Sequence, residues 1–330
     1  MIIVLDAFGS DNAPYPEIIG AVLAVNEKLC DKVLLVGDET ILKNELSKHK
    51  YPAEKIEVVH ASEVITMDED ATHAARHKQD SSMVKGLMLY KEGKADAFLS
   101  AGNTGAMMAA SLFTIGRVKN VLRPAIAVTL PTVTGTEIVL DVGANADCEP
   151  EYLEQFAILG SLYARFAYKV ANPRVALLNI GEESKKGNEL TKKTYALLEA
   201  NQKINFIGNI EGKELVAGVT EVVICDGFVG NVALKTVEGV AVSLFNILKD
   251  QFKKNFIAKI GAMLARPAFR FLKRKMDPAE YGGALLVGLN GISVVAHGSS
   301  TPLAIKNALK FTNKIAESDF ISQVKEYFEG

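Results

Sequence analysis

The chain has 330 residues, 48% of them hydrophobic, with 15 Phe, 9 Tyr, no Trp and a formal net charge of −2. That length buries a large core and fits one α/β domain, 1–330, built as two lobes sharing a sheet; the aliphatic bias argues against disorder, and the near-neutral charge gives no basis for nucleic-acid binding. Cys30, Cys148 and Cys225 lie far apart without CxxC spacing, which argues against a zinc knuckle, redox pair or disulfide framework and points to a cytoplasmic setting.

In chain order, MIIVLD carries no basic segment before it and reads as a first strand rather than a signal peptide. Strand-like runs follow at Val33 to Val36, Lys55 to Val59, Ala97 to Ser100, Ala125 to Thr129, Glu137 to Val142, Arg174 to Ile180, Asn205 to Gly208 and Glu221 to Asp226. Helix-like segments separate most of them, the alternation of a parallel sheet covered on both faces. Helical patterns begin at Asn103, Gly187 and Gly230. Between Leu122 and Asp141 two runs are joined by Pro131 to Thr136 with no room for a helix, which predicts an antiparallel excursion and a place for a subunit contact.

After Asn231 the periodicity predicts helix for about 45 residues, with a break or kink at Pro267. Within it, Phe252, Phe256, Ile260 and Met263 recur at helical spacing beside Lys253, Lys254, Lys259 and Arg266. Lys249 to Lys275 holds nine Lys or Arg against one acid, Asp250, a local charge of +8. This basic amphipathic segment, about 240–276, suits an anionic membrane or an acidic carrier protein; an ordinary core-facing helix is the commoner meaning of such a stripe. The lopsided charge favours the membrane. Gly283 to Ala296 is apolar but interrupted by Asn290, Ser293 and glycines, so no membrane span is expected.

Five β-branched runs stop at polar, glycine-rich turns: IIVLDAFGSD, AFLSAGNTGA, EIVLDVGANAD, VALLNIGEE and EVVICDGFVGN. Carboxyl ends of parallel strands share one sheet edge, so these turns are expected to wall one pocket. Glycine backbones, helix starts and Asn103, Asn145 and Asn231 suit an anion there. The Walker loop, GxGxxG, GxSxG and HExxH are missing. Of five histidines, only His297 sits in a glycine-rich turn; His49, His60, His73 and His77 read as surface residues.

Together the turns resemble the phosphate acyltransferases of bacterial phospholipid synthesis, enzymes that act on acyl carrier protein and phosphate. The likeness is carried by Asp6-Ala7-Phe8-Gly9-Ser10-Asp11-Asn12-Ala13-Pro14, Arg76-x-Lys78-x-x-Ser81-Ser82-Met83, Ser100 to Ala106, Arg123-Pro124-Ala125 and Asp141 to Asn145. It continues through Gly181-Glu182-Glu183 with Lys186-Gly187-Asn188-Glu189, Asp226 to Asn231, Tyr281-Gly282-Gly283-Ala284 and Ala296 to Ser300. The resemblance implies a three-layer αβα sandwich with a mostly parallel central sheet, like isopropylmalate and isocitrate dehydrogenases and related to phosphotransacetylase. It implies a homodimer, peripheral on the inner face of the membrane, that moves a long acyl chain from acyl carrier protein to inorganic phosphate for use by a glycerol-3-phosphate acyltransferase. Phe8, Ser10 and Asn12 stand where the family usually has Met, Gly and His, so a histidine at that third position is not an indispensable base here.

Phosphate attacking a thioester needs alignment more than activation, because the dianion is already nucleophilic and a thiolate leaves readily. Direct attack in a ternary complex is therefore expected, with no cofactor and no metal. By spacing alone Arg76 and Lys78 read as a solvated helix face; the family motif makes them, with Lys186, the cations for phosphate. Gly9, Asp11, Ser81, Ser82, Asn103, Thr104, Gly105 and Gly230 complete the expected cradle. Asn145, Asn188 and Asn231 are donors to the thioester oxygen or helix and turn caps. Lys186, His297 and Asn231 are the catalytic candidates, His297 as general acid or base, with a structural role equally open to it. Asp6, Asp141 and Asp226 are assigned to bonding turn N–H groups and orienting cations. Cys225 reads as a buried strand residue rather than an acyl carrier. The alternatives are a short-chain enzyme using acyl-coenzyme A, an NAD-dependent decarboxylating dehydrogenase of related fold, and a non-enzymatic membrane scaffold.

Overall fold

A computed structural model describes residues 1–330, apart from the side chains of Lys273 and Pro278. The first half runs β1 (Ile2–Asp6), α1 (Tyr15–Asn26), β2 (Lys32–Gly37), α2 (Glu39–Leu46), β3 (Ile56–His60), α3 (Ala71–His77), α4 (Ser82–Lys91), β4 (Ala97–Ser100), α5 (Thr104–Thr114), β5 (Ala125–Pro131) and β6 (Thr136–Leu140). It continues with α6 (Pro150–Tyr168), β7 (Arg174–Asn179), α7 (Glu189–Ala200), β8 (Asn205–Glu211), β9 (Val222–Ile224), α8 (Gly227–Lys253), α9 (Phe256–Leu264) and α10 (Arg266–Met276). The chain ends with β10 (Ala284–Val287), β11 (Ser293–Val295), α11 (Pro302–Ala316) and α12 (Phe320–Glu329). All nine expected strands form. The returning pair β10 and β11 was not expected, because the glycines that interrupt that apolar stretch hid two short strands.

One 11-stranded sheet has the order β3-β2-β1-β4-β11-β10-β5-β6-β9-β7-β8. The strands β3, β2, β1, β4 and β11 are mutually parallel, as are β6, β9, β7 and β8. Between the blocks the pairs β11/β10, β10/β5 and β5/β6 are all antiparallel. Three successive reversals make the two blocks run in opposite directions. This corrects the expectation that all five turns share one edge: the tips of β1, β4 and β11 lie at one edge, and those of β6, β7 and β9 at the other. The antiparallel excursion is real, but it sits at the centre of the sheet.

Helices α1, α6, α11 and α12 cover one face, around fully buried Phe156, Tyr163, Ile305 and Phe320. On the other face α3, α4 and α5 cover the first block, around Met83, Leu87, Phe98 and Met107. Burial on both sides explains the aliphatic composition. Helix starts are set locally: Asp38, Asp70, Ser81, Asn103, Asn188, Asp226, Asn255 and Thr301 each accept a hydrogen bond from the N–H three residues on. Accordingly α7 starts after Asn188, and α8 starts at Gly227, a turn before Gly230.

The predicted 45-residue helical stretch is three helices. Asn255 caps a new start at α9, and Pro267 lies in the first turn of α10, where its missing N–H costs nothing. Helix α8 is long and apolar enough to cross a membrane by length and composition, and only its Gly227 and Gly230 are buried. No residue of α9 is buried, which removes the core-facing reading of the stripe. Phe256, Ile257 and Leu264 are 76%, 82% and 74% exposed, and Ile260 and Met263 also face outward. Phe252 does not: its ring packs 5.1 Å from that of Phe269, closing α8 against α10.

On β6, Glu137 is 1% exposed with neither carboxylate oxygen partnered, and burial pushes its carboxyl up to about 8. Because the native value is raised, the contribution to stability is complete below the unfolded value near 4.5 and is lost as pH rises through 8. Replacing Glu137 by Leu is therefore expected to stabilise the fold at pH 8 by ~4 kcal/mol relative to its effect at pH 4.5. Denaturant melts of both proteins across that range check this; parallel stability curves would contradict it.

Candidate active site

Two groups of turns, one at each sheet edge, are tied internally by backbone contacts. In the first, a Cβ on Gly9 would lie 2.7 Å from the Gly102 nitrogen, so glycine is required there by close approach. Its φ is negative, as is that of Ser10. The Asp11 N–H donates to the Gly298 carbonyl at 2.8 Å, joining the turn after β11. Beneath them Asp6 accepts from the Ser100 hydroxyl at 2.7 Å and from the Phe8 N–H at 3.1 Å. Burial pushes its carboxyl upward.

Asp141 organises the second group. Its Oδ1 accepts from the N–H groups of Ile126 and Ala144 at 3.0 and 3.1 Å, and its Oδ2 from the N–H and side-chain amide of Asn145 at 2.7 and 2.9 Å. Burial raises its carboxyl and these bonds oppose the shift. The Gly227 N–H donates to the Asn145 carbonyl at 2.8 Å, docking the start of α8 on this turn. A Cβ on Gly230 would stand 2.0 Å from the Asp141 carbonyl oxygen, and one on Gly143 would stand 3.6 Å from the Asn231 amide carbon. Asp226 caps α8 by accepting from the Val229 N–H at 2.8 Å.

A groove beneath α8 brings residues of both groups together. Its cavity of about 220 Å³ is lined by Ile126, Val128 and Leu130 of β5, Ala284 of β10, and Leu234, Val237 and Ala241 of α8. Its polar lining includes Thr104 and His297 from the first group, Asn231 from the second, and Lys235, Glu238 and Tyr281. A further cavity of about 480 Å³, reaching Val242, Phe245 and Leu303, shares Glu238, Ala241 and His297 with it. The His297 Nδ1 accepts from the Ser299 N–H at 3.2 Å, so the neutral ring carries its proton on Nε2.

Other predicted residues are engaged elsewhere. The Lys78 Nζ donates to the Val64 carbonyl at 2.7 Å and pairs with Glu69 at 2.7 Å, pinning a loop. Ser81 and Ser82 are buried at the start of α4, where Ser81 is the cap. Arg76 is exposed and stacks 4.8 Å over the Phe113 ring. Asn145 spends its amide N–H groups on Pro124 and Asp141, and Asn188 caps α7 through its Oδ1. The Asn103 Oδ1 caps α5, while its Nδ2 donates to the Met67 carbonyl at 2.9 Å. Thr104 and Gly105 are exposed at the open end of α5. Lys186 is exposed on the turn after β7, and it is not among the groove-lining residues. The Cys225 thiol is buried and held well above its ordinary value by burial, and that of Cys148 is pushed up to about 12, so neither is a thiolate near neutrality. Sequence reasoning missed Lys235 and Glu238 and the part β5 plays in lining the groove; a Lys-x-x-Glu pair one and two turns beyond Asn231 was the available signal.

Residues 1–323 match the family described as "Fatty acid synthesis protein". Phosphate acyltransferases of Halothermothrix orenii (46% identity, 99% of this chain and 98% of the relative) and of a Geobacter species (49%, 96% and 89%) align along the chain. Among solved structures, a phosphotransacetylase from Streptococcus pyogenes superposes with a TM-score of 0.64 at 16% identity (96% of this chain, 94% of that one), and EutD phosphotransacetylase from Staphylococcus aureus with 0.61 at 16% (96% and 94%). The fold is thus that of the phosphotransacetylases. The chain belongs to the phosphate acyltransferase family and is an acyltransferase of fatty acid and phospholipid synthesis.

Because the approach at Gly230 is to backbone, Gly230→Ala is expected to lift α8 from the Asp141 turn, costing about 1–3 kcal/mol and most of the turnover. A thermal melt with initial rates checks this; wild-type values for both would contradict it.

Proposed function

We propose that the groove receives the long fatty chain of an acyl thioester on acyl carrier protein, and that inorganic phosphate attacks its carbonyl directly. The observation that carries the reading is an apolar groove whose rim holds Thr104, Asn231 and His297. Phosphate binds at the open end of α5, where the N–H groups of Thr104 and Gly105 and the helix dipole favour an anion, against the turn around Gly9 and Asp11. A phosphate oxygen forms the bond to the carbonyl carbon, with Asn231 donating to the developing oxyanion. The C–S bond breaks and the sulfur leaves as a thiolate, steadied by a hydrogen bond from the His297 Nε2–H, and takes its proton from solvent on release. Acyl phosphate and free carrier result. Raised thiols at Cys148 and Cys225 support transfer without an acyl-enzyme. With its cation outside the groove, Lys186 serves as an outlying steering charge for the acidic reactants, and Arg76 likewise.

Each methylene buried in the groove is worth about 0.8 kcal/mol. Two-carbon extensions of the acyl chain are therefore expected to lower KM by up to about 15-fold each until the groove is full. Palmitoyl carrier protein against acetyl-coenzyme A tests it directly; preference for acetyl-coenzyme A favours the short-chain alternative. His297→Ala and Asn231→Ala are expected to lower kcat about 100-fold, and full turnover in both variants would displace those roles.

The exposed Phe256, Ile260 and Met263 beside Lys259 fit peripheral contact with an anionic membrane by a homodimer that delivers its product to a glycerol-3-phosphate acyltransferase at the same surface. Lys253 is exposed next to them. Replacing Phe256 and Met263 by Glu is expected to abolish sedimentation with phosphatidylglycerol vesicles while KM for acyl carrier protein stays unchanged. A raised KM with retained sedimentation would make this a carrier-docking surface instead.

A further inference from the structure

Beneath the Gly9 to Asp11 turn lies a carboxyl that the proposed chemistry does not use. Glu17, on the first turn of α1, is fully buried, and its Oε1 accepts from the Ser10 N–H at 3.0 Å. Its Oε2 and the Ser10 Oγ are both buried without partners. Ser10 is the middle of a turn that abuts Gly102 on one side and bonds Gly298 on the other, so this one contact fixes the turn against both neighbours.

The charged groups on elements packed against α1 are mostly engaged with each other. Lys306 of α11 binds Glu27 at the far end of α1; further along α11, Lys314 lies over the Tyr168 ring beyond Lys310. On α2, Glu39 pairs with Lys43 and Glu45 with Lys48, and Asp38 caps the helix. On β2 and β3, Lys32 pairs with Glu57, while His60 accepts from the Glu39 N–H. Among the described residues, Asp6 is the charged side chain that acts on Glu17.

We propose that Glu17 is a positioning residue for phosphate, holding the Ser10 turn through the N–H bond and acting in its neutral form. An ionised carboxylate beside Asp6 puts a second negative charge under a turn that receives an anion, which weakens binding. Burial pushes Glu17 up to about 7, the Asp6 charge adding to it, so the change falls in the working range. The inference rests on the reading of this turn as the phosphate site.

The experiment is the phosphate dependence of initial rates for the full-length enzyme with saturating palmitoyl carrier protein, from pH 6 to 8, in wild type, Glu17→Gln and Glu17→Ala. Titration of phosphate itself is common to all three and cancels in the ratios. Glu17→Gln keeps an acceptor for Ser10 but cannot ionise. The expected result is equal KM for phosphate at pH 6 and a wild-type KM about tenfold above that of Glu17→Gln at pH 8, with kcat unchanged. Glu17→Ala raises KM at both pH values; should it not fold, Glu17→Gln decides alone. A wild-type to Glu17→Gln ratio that is flat with pH, in a phosphate-dependent enzyme, overturns the inference and leaves the phosphate reading standing. A wild-type rate indifferent to phosphate overturns both.

Discussion

Opposed strand direction is the constraint from which the site follows. Had the sheet been parallel throughout, helices would cover both faces evenly and every turn would meet at one edge. Three antiparallel junctions at β10, β5 and β6 instead separate the turns into two groups. Helix α8 then starts from the second group, docks through Gly227 and Gly230, and packs Ala233 and Leu234 against the core. The open strip it leaves is the groove, and its polar lining draws on both groups.

Buried carboxyl groups hold each group of turns. Asp141 gathers four donors, Asp6 gathers Ser100 and Phe8, and Glu17 holds Ser10. Bonds of this kind orient backbone N–H groups rather than bind an anion, since a carboxylate repels phosphate. The electrostatic character of the site therefore comes from neutral dipoles aimed by acids beneath them. Among the described residues, side-chain cations lie outside the groove except Lys235, which is paired with Glu238 at 2.8 Å.

Strand positions were legible because β-branched runs ended at glycine-rich turns, and the family was legible because nine such motifs occur in order. Direction was not. Nothing in the spacing of Ala125 to Leu140 distinguishes a peripheral hairpin from a central reversal, and the glycines before Ala284 concealed the strands that complete it. The engagement of Lys78 was not legible either: its spacing from Arg76 is that of a solvated helix face, and its partner Glu69 lies where only the fold brings it. The stripe from Phe256 to Met263 was legible as amphipathic, whereas its lack of a covering layer depends on where α8 ends. Phe252 shared the spacing and went inward to Phe269.

The central claim is direct transfer to phosphate over turns of backbone dipoles, without a covalent enzyme adduct. A rapid-quench single turnover of palmitoyl carrier protein with oxygen-18 phosphate, read by intact-protein mass and by mass of the product, tests it most directly. The account predicts palmitoyl phosphate retaining all of the phosphate label and no acylated enzyme at any time. An acyl-enzyme that forms and decays before product appears would contradict it.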